Sequence, residues 1–272
     1  MASISGGVAN NGEGLHYQEL NVETGKNTVL MIHGALRSGD DWDLIVPHLP
    51  RDYHLLIPDL PGHGQSKDIL PFSKKLSARL LADLIRKKAL NGRAHVIGFS
   101  LGAGIGVQLI SQYPDLIDVV FLSGYGAVSA PPSAVAAVLW AQERGEALLP
   151  KSMISWLMDG TDLSSSGSTV PSYALCRSIA DNIHAGEEPS PWPARTLIVA
   201  AGKSGILPTA DNADAARRLR EIASTVQPVG QTKAYTHRQM RHPWCRQAPQ
   251  LFAQTATMWF EHGTVPEGFE EL

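Results

Sequence analysis

The stretch Ala94-His95-Val96-Ile97-Gly98-Phe99-Ser100-Leu101-Gly102 decides how this chain is read. An apolar run leads into Gly98-Phe99-Ser100-Leu101-Gly102, and a segment rich in small residues, with Gly104 and Gly106, follows it. A serine hydroxyl is a weak nucleophile. A strained strand-to-helix turn is one way to expose it, and only glycines leave room two residues to either side. The same turn puts the N–H of Leu101 at a helix N-terminus, aimed where negative charge on an oxygen would develop. The pattern predicts a strand, a sharp turn carrying Ser100, and a helix to about Tyr113 that lies close to a sheet through Gly102, Gly104 and Gly106.

Upstream, Thr28-Val29-Leu30-Met31-Ile32 is a continuous apolar run of the kind shown by a strand buried on both faces, and it ends in His33-Gly34-Ala35. Asp40-Asp41-Trp42 is read as the start of a helix carrying Leu44, Ile45 and Leu49. His54 to Asp59 reads as the next strand, and Leu60-Pro61-Gly62-His63-Gly64-Gln65-Ser66 as the turn after it. Leu76, Leu80, Leu81, Leu84 and Ile85 mark one face of a helix. Residues 1 to 14 are expected to be loose or a short edge element, and Leu15 to Leu20 to form a first strand. Downstream, Asp118 to Ser123 and Thr196 to Ala200 read as strands. The alternation predicts an α/β fold: an open, mostly parallel sheet with helices on both faces.

Between about Ala130 and Ser190 no buried-strand pattern occurs. Helical segments are expected over Pro132 to Leu149, Ser152 to Met158 and roughly Ser172 to Ala185, with Trp140, Met153, Trp156, Met158 and Tyr173 forming an apolar underside. The chain of 272 residues therefore divides into a core domain, first part (1-128), a helical insert (129-191) and a core domain, second part (192-272).

A net charge of -3 gives no broad basic face, which argues against nucleic acid as a partner, and clusters such as Lys74-Lys75 and Arg86-Lys87-Lys88 read as solvated helix faces. Cys176 and Cys245 are too few and too far apart for a disulfide framework or a zinc site. Neither a leader-like N-terminus nor an apolar run of membrane-spanning length is present, so a cytoplasmic location and no membrane span are expected.

The succession His33-Gly34, Asp59-Leu60-Pro61-Gly62-His63-Gly64-Gln65-Ser66, Gly98-Phe99-Ser100-Leu101-Gly102 and a late His242 resembles the α/β-hydrolase superfamily over nearly the whole chain. The resemblance implies Ser100 as nucleophile, the backbone N–H groups of Ala35 and Leu101 as an oxyanion hole, and a helical cap inserted after the sixth strand. His242 fits the base because it precedes Pro243-Trp244 and stands seven residues before Pro249, which opens the last amphipathic helix. His237 is its competitor. His63, His95 and His184 read as turn, strand and surface residues, and Lys203 and Arg241 as cations flanking the site, either orienting a substrate or solvated.

The triad acid departs from the family pattern. The usual Gly-x-x-Asp run corresponds to Gly202-Lys203-Ser204-Gly205, with a glycine at the acid position, and the alternative place reads Ser123-Gly124-Tyr125-Gly126. Asp211, Asp214, Asp181, Glu187 and Glu188 stand nearby, and the acid is left unassigned. A dry pocket between insert and core is expected to use His33, Tyr125, Trp140 and Trp156. Together these residues imply a serine hydrolase of a small, mainly apolar ester, lactone or thioester, needing no metal or organic cofactor. The alternatives are a lyase, cyclase or C–C bond enzyme on the same residues, favoured by the missing carboxylates, or a ligand-binding relative without turnover.

Overall fold

The computed structural model describes residues 14–126, 128–148, 161–162, 171–184, 188–203, 210–228 and 230–272. These residues form one sheet of eight strands: β1 Tyr17–Leu20, β2 Asn27–Ile32, β3 Tyr53–Pro58, β4 Ala94–Phe99, β5 Ile117–Ser123, β6 Arg195–Ala201, β7 Thr232–His237 and β8 Glu270–Glu271. The order is β1-β3-β2-β4-β5-β6-β7-β8. Only the edge strands run antiparallel, β1 against β3 and β8 against β7. The expected open, mostly parallel sheet is what the chain forms.

The apolar runs have a two-sided cause. Along β2, Leu30 and Ile32 enter one buried layer while Val29 and Met31 enter the other. Along β6, Ile198 and Ala200 face the first layer and Leu197, Val199 and Ala201 the second. A parallel strand covered on both faces has no solvent side to make polar, which is why alternation is missing from its sequence. The first layer is closed by α1 (Lys74–Lys88) and α2 (Leu101–Gln112), the second by α7 (Pro249–His262). The Ser73 side chain caps α1 by accepting the Leu76 N–H, and Arg86, Lys87 and Lys88 occupy its last turn, where cations complement the helix dipole.

Residues 40 to 49 do not form the expected helix. They make two short 3₁₀ turns, Gly39–Trp42 and Val46–His48. Pro47 has no N–H to donate and biases the residue before it away from the α region, so one continuous helix cannot pass through.

Among the described residues between β5 and β6 the elements are helices. Helix α3 (Pro132–Leu148) is followed by α4 (Tyr173–Ile183), and the rings of Trp140 and Tyr173 meet edge to face at 6.3 Å. Leu175, Cys176, Ile179 and Ala180 form the buried face of α4, which is tied to the core where the Lys74 N–H donates to Asn182 Oδ1 at 2.9 Å. Among the described residues this helical segment follows the fifth strand, not the sixth. β1 pairs directly with β3, and no further strand stands between them. The segment expected over Ser152 to Met158, including Trp156, lies outside the described residues. No helix among the described residues is long and apolar enough to cross a membrane. Helices α5 (Ala213–Ser224) and the short α6 (Trp244–Gln247) complete those formed by the described residues.

Candidate active site

The turn at Ser100 is built as the sequence implies. Ser100 has φ 55 and ψ -115, far from any ordinary well for a residue with a side chain, and its N–H donates to the Ser123 carbonyl at 2.8 Å. A Cβ on Gly98 would lie 2.7 Å from the Gly102 carbonyl oxygen, and one on Gly102 only 2.1 Å from the Ile32 carbonyl oxygen. Gly104 behaves differently: its nearest neighbour would be Lys74 Cδ at 3.8 Å, so the helix does not depend on that glycine for its approach to the sheet.

Three side chains from the C-terminal ends of the strands meet here. His242 Nε2 lies 2.9 Å from Ser100 Oγ, and His242 Nδ1 lies 2.5 Å from Asp211 Oδ1. A carboxylate only accepts, so Nδ1 carries the ring proton and Nε2 is left to accept from the serine hydroxyl. Asp211 is held from both sides by one residue at the end of β6: its Oδ2 accepts the Ala201 N–H at 2.7 Å, and its own N–H donates to the Ala201 carbonyl at 2.8 Å. Its side chain is 5% exposed, against 35% for His242. The imidazole packs against Phe99, with ring centroids 5.1 Å apart.

Of the carboxylates the sequence reading left open, Asp211 is the one that lies beside His242. Its signal lies in Asp211-Asn212 just before α5. Asn212 alone caps the helix, accepting the Ala215 N–H at 3.1 Å, which leaves the preceding aspartate without a local task. The other candidates are engaged elsewhere: Asp214 with Arg217, Asp181 with Arg177, and Glu188 with Arg218. Glu187 and Gly205 lie outside the described residues. His237 is buried against Phe269 and accepts the Gln239 N–H, so it is not the partner of Ser100 in this geometry.

The loop carrying Ala35 lies against the elbow. A Cβ on Gly34 would stand 3.5 Å from Ser100 Cβ, and Leu36 turns the chain with φ 60. Leu101, the first residue of α2, has an N–H without an intrahelical acceptor. His33 corrects the pocket expectation. It is fully buried, its Nδ1 donates to the Gly34 carbonyl at 2.7 Å, and its Nε2 accepts the Leu60 N–H at 3.0 Å, so neither nitrogen is left for a substrate. It braces the turn after β2 against the turn after β3. Asp59 braces the same region, accepting the N–H groups of Gly39 and Gln65, each at 2.8 Å.

Tyr125 is partly buried against the first apolar layer, and burial together with Glu188 pushes its hydroxyl pKa up. Trp140 is half-buried, with the Arg144 guanidinium 3.7 Å from its ring centroid. Arg241 is 6% exposed, so it is not a solvated loop-end cation. His95 stacks on Phe260 at 4.8 Å, and His184 follows the C-terminus of α4.

Burial gives the loops around the site a pH dependence. Desolvation lowers the His33 pKa from 6.5 to about 4 and that of His63, edge to face with it at 5.3 Å, to about 3. The unfolded chain binds these protons first, so stability is full above about pH 6.5 and is lost as pH falls toward the folded values. From pH 7.5 to pH 5, His33 alone should cost on the order of 2 kcal/mol. Urea midpoints at those two pH values check this, and a midpoint that does not fall would overturn it.

Among the described residues no group of three or more His, Cys, Asp or Glu side chains is placed to hold a metal ion. Residues 27–151 match the family described as alpha/beta hydrolase fold. An "AB hydrolase superfamily protein" of Gibberella zeae is 35% identical over 253 residues, covering 91% of this chain and 85% of its own. Shorter matches include a 2-succinyl-6-hydroxy-2,4-cyclohexadiene-1-carboxylate synthase of Pectobacterium atrosepticum, 27% identical over 47% of this chain and 52% of its own. A pimeloyl-[acyl-carrier protein] methyl ester esterase of Nitrosomonas europaea is 32% identical over 38% of this chain and 40% of its own. Among solved structures, the alpha/beta hydrolase enzyme MGS-M2 from a Medee basin deep-sea metagenome library superposes with a TM-score of 0.67 at 17% identity, covering 93% of this chain and 95% of that one. The fold built around Ser100 and the near full-length likeness to the Gibberella protein agree: this chain belongs to the alpha/beta hydrolase superfamily.

Proposed function

We propose that this protein is a serine hydrolase that cleaves a small, mainly apolar ester, lactone or thioester through an acyl-enzyme. The observation that carries the reading is the continuous line of contacts from Asp211 through His242 to Ser100, at 2.5 and 2.9 Å. Ser100 Oγ attacks the carbonyl carbon as His242 Nε2 takes its proton, and the imidazolium then returns that proton to the leaving group. Water, deprotonated by the same nitrogen, releases the acid and frees the serine. Asp211 keeps the ring in the one tautomer that can accept and stabilises its charged form. The N–H groups of Ala35 and Leu101 hold the oxyanion. The helices α3 and α4, the described part of the insert 129-191, are read as belonging to a cap over this site, with Tyr125 and Trp140 at its inner side.

The lyase and cyclase alternative drew its strength from a missing carboxylate. With Asp211 2.5 Å from His242 Nδ1 that ground is gone, which supports the hydrolytic reading over it. The test is active-site titration with a fluorophosphonate alongside p-nitrophenyl ester turnover. One label per chain on Ser100, with turnover lost in proportion to labelling, is expected. Ester turnover that survives full labelling, or the absence of both, would overturn the reading.

A further inference from the structure

Ser123 closes β5, is fully buried, and does two things at once. Its carbonyl accepts the N–H of Ser100 at 2.8 Å, and its hydroxyl accepts the indole N–H of Trp244 at 2.6 Å. Trp244 stands two residues beyond His242 and is itself fully buried, wedged against Phe121, Phe252 and Phe269. Between them lies Pro243, whose ring fixes φ, so a shift of the indole passes stiffly to the imidazole. The next residue completes the seat. Gly124 has φ +71, its N–H donates to the Val199 carbonyl at 3.0 Å, and a Cβ on it would stand 2.7 Å from His242 Cε1 and 3.0 Å from Nδ1. The bare backbone of Gly124 therefore supports the ring that Phe99 flanks on another side.

We propose that Ser123 is a positioning residue that registers His242 against Ser100, holding the nucleophile's backbone through its carbonyl and the base's chain through the Trp244 indole. The proposal rests on the reading of Ser100 and His242 given above. A hydrogen bond that only stabilised the fold would change melting and leave the folded enzyme's rate alone. A register device changes kcat, because a displacement of about an ångström at reacting atoms costs up to about a hundredfold.

The experiment compares wild type, Ser123→Ala, Trp244→Phe and the double variant with p-nitrophenyl butyrate at matched folded concentration. Each single variant should lower kcat roughly 10- to 50-fold with KM within about twofold. The double variant should be no worse than the poorer single one, since both remove the same bond. An unchanged kcat in either folded single variant, losses that multiply in the double variant, or failure of both single variants to fold overturns the proposal. If one single variant fails to fold, the other decides by its split between kcat and KM. If the wild type turns over no ester, it is the hydrolase reading that fails. The His242 Nδ1 proton resonance in nitrogen-15 histidine spectra then decides the positioning claim. Broadening or displacement of that resonance in Ser123→Ala supports it, and an unchanged spectrum overturns it.

Discussion

Asp211→Asn is expected to lower kcat for an activated ester by about 10⁴, or about 5.5 kcal/mol of transition-state stabilisation, with KM changed only a few-fold. The asparagine keeps the shape and can still accept the Ala201 N–H that Oδ2 accepts now at 2.7 Å. What it presents toward His242 Nδ1 is then an amide NH₂, a donor. That favours the tautomer with the proton on Nε2, the nitrogen that must accept from Ser100. The residual rate belongs to the oxyanion donors and to binding. Asp211→Ala should lose as much activity and some stability besides, because the Ala201 N–H is left without its acceptor. Asp214→Asn is the control: that carboxylate pairs with Arg217 at the surface, and the rate should not change. A wild-type kcat in Asp211→Asn would remove the aspartate from the mechanism.

Asp211 is one of five carboxylates that the sequence offers near the site, and the local chain does not rank it above the others. The elbow and the strands announce themselves through local chemistry: glycines where a Cβ would strike backbone, and unbroken apolar runs where both faces are covered. His242 is legible because its distance to Pro249 and the last helix is fixed along the chain. Asp211 follows the end of β6 by ten residues and then returns to bond with the very residue where the strand ends. Such a return is set by tertiary closure, not by periodicity, and aligning Gly202 to Gly205 with the usual motif points six residues too early. The reverse error occurs at His33. A histidine after a buried strand can face a substrate or serve the backbone, and only the two hydrogen bonds to Gly34 and Leu60 decide between them. At residues 40 to 49 the apolar spacing is helical, and the missing backbone donor at Pro47 overrides it.

Gly102→Ala is expected to damage both the fold and the rate, and Gly104→Ala two residues away to do neither. The added methyl at position 102 would sit 2.1 Å from the Ile32 carbonyl oxygen and 2.7 Å from that of His33. Both are main-chain atoms at the end of β2, so no side chain can rotate out of the way. Relief requires lifting the first turn of α2 off the sheet or pushing the β2 end outward, and the loop carrying Ala35 begins there. Overpacking of this kind costs about 3 kcal/mol or more. On the proposed reading, the same movement separates the N–H groups of Leu101 and Ala35 from the oxyanion they are assigned to hold, which lowers kcat by about a hundredfold in whatever folds. Gly104→Ala meets only Lys74 Cδ at 3.8 Å inside a helix, where alanine is favoured by roughly 0.5–1 kcal/mol. Urea unfolding and ester kinetics on the two variants separate these effects. If Gly102→Ala unfolds at the wild-type midpoint with the wild-type rate, then close contact between α2 and β2 is not what holds Ser100 at its turn.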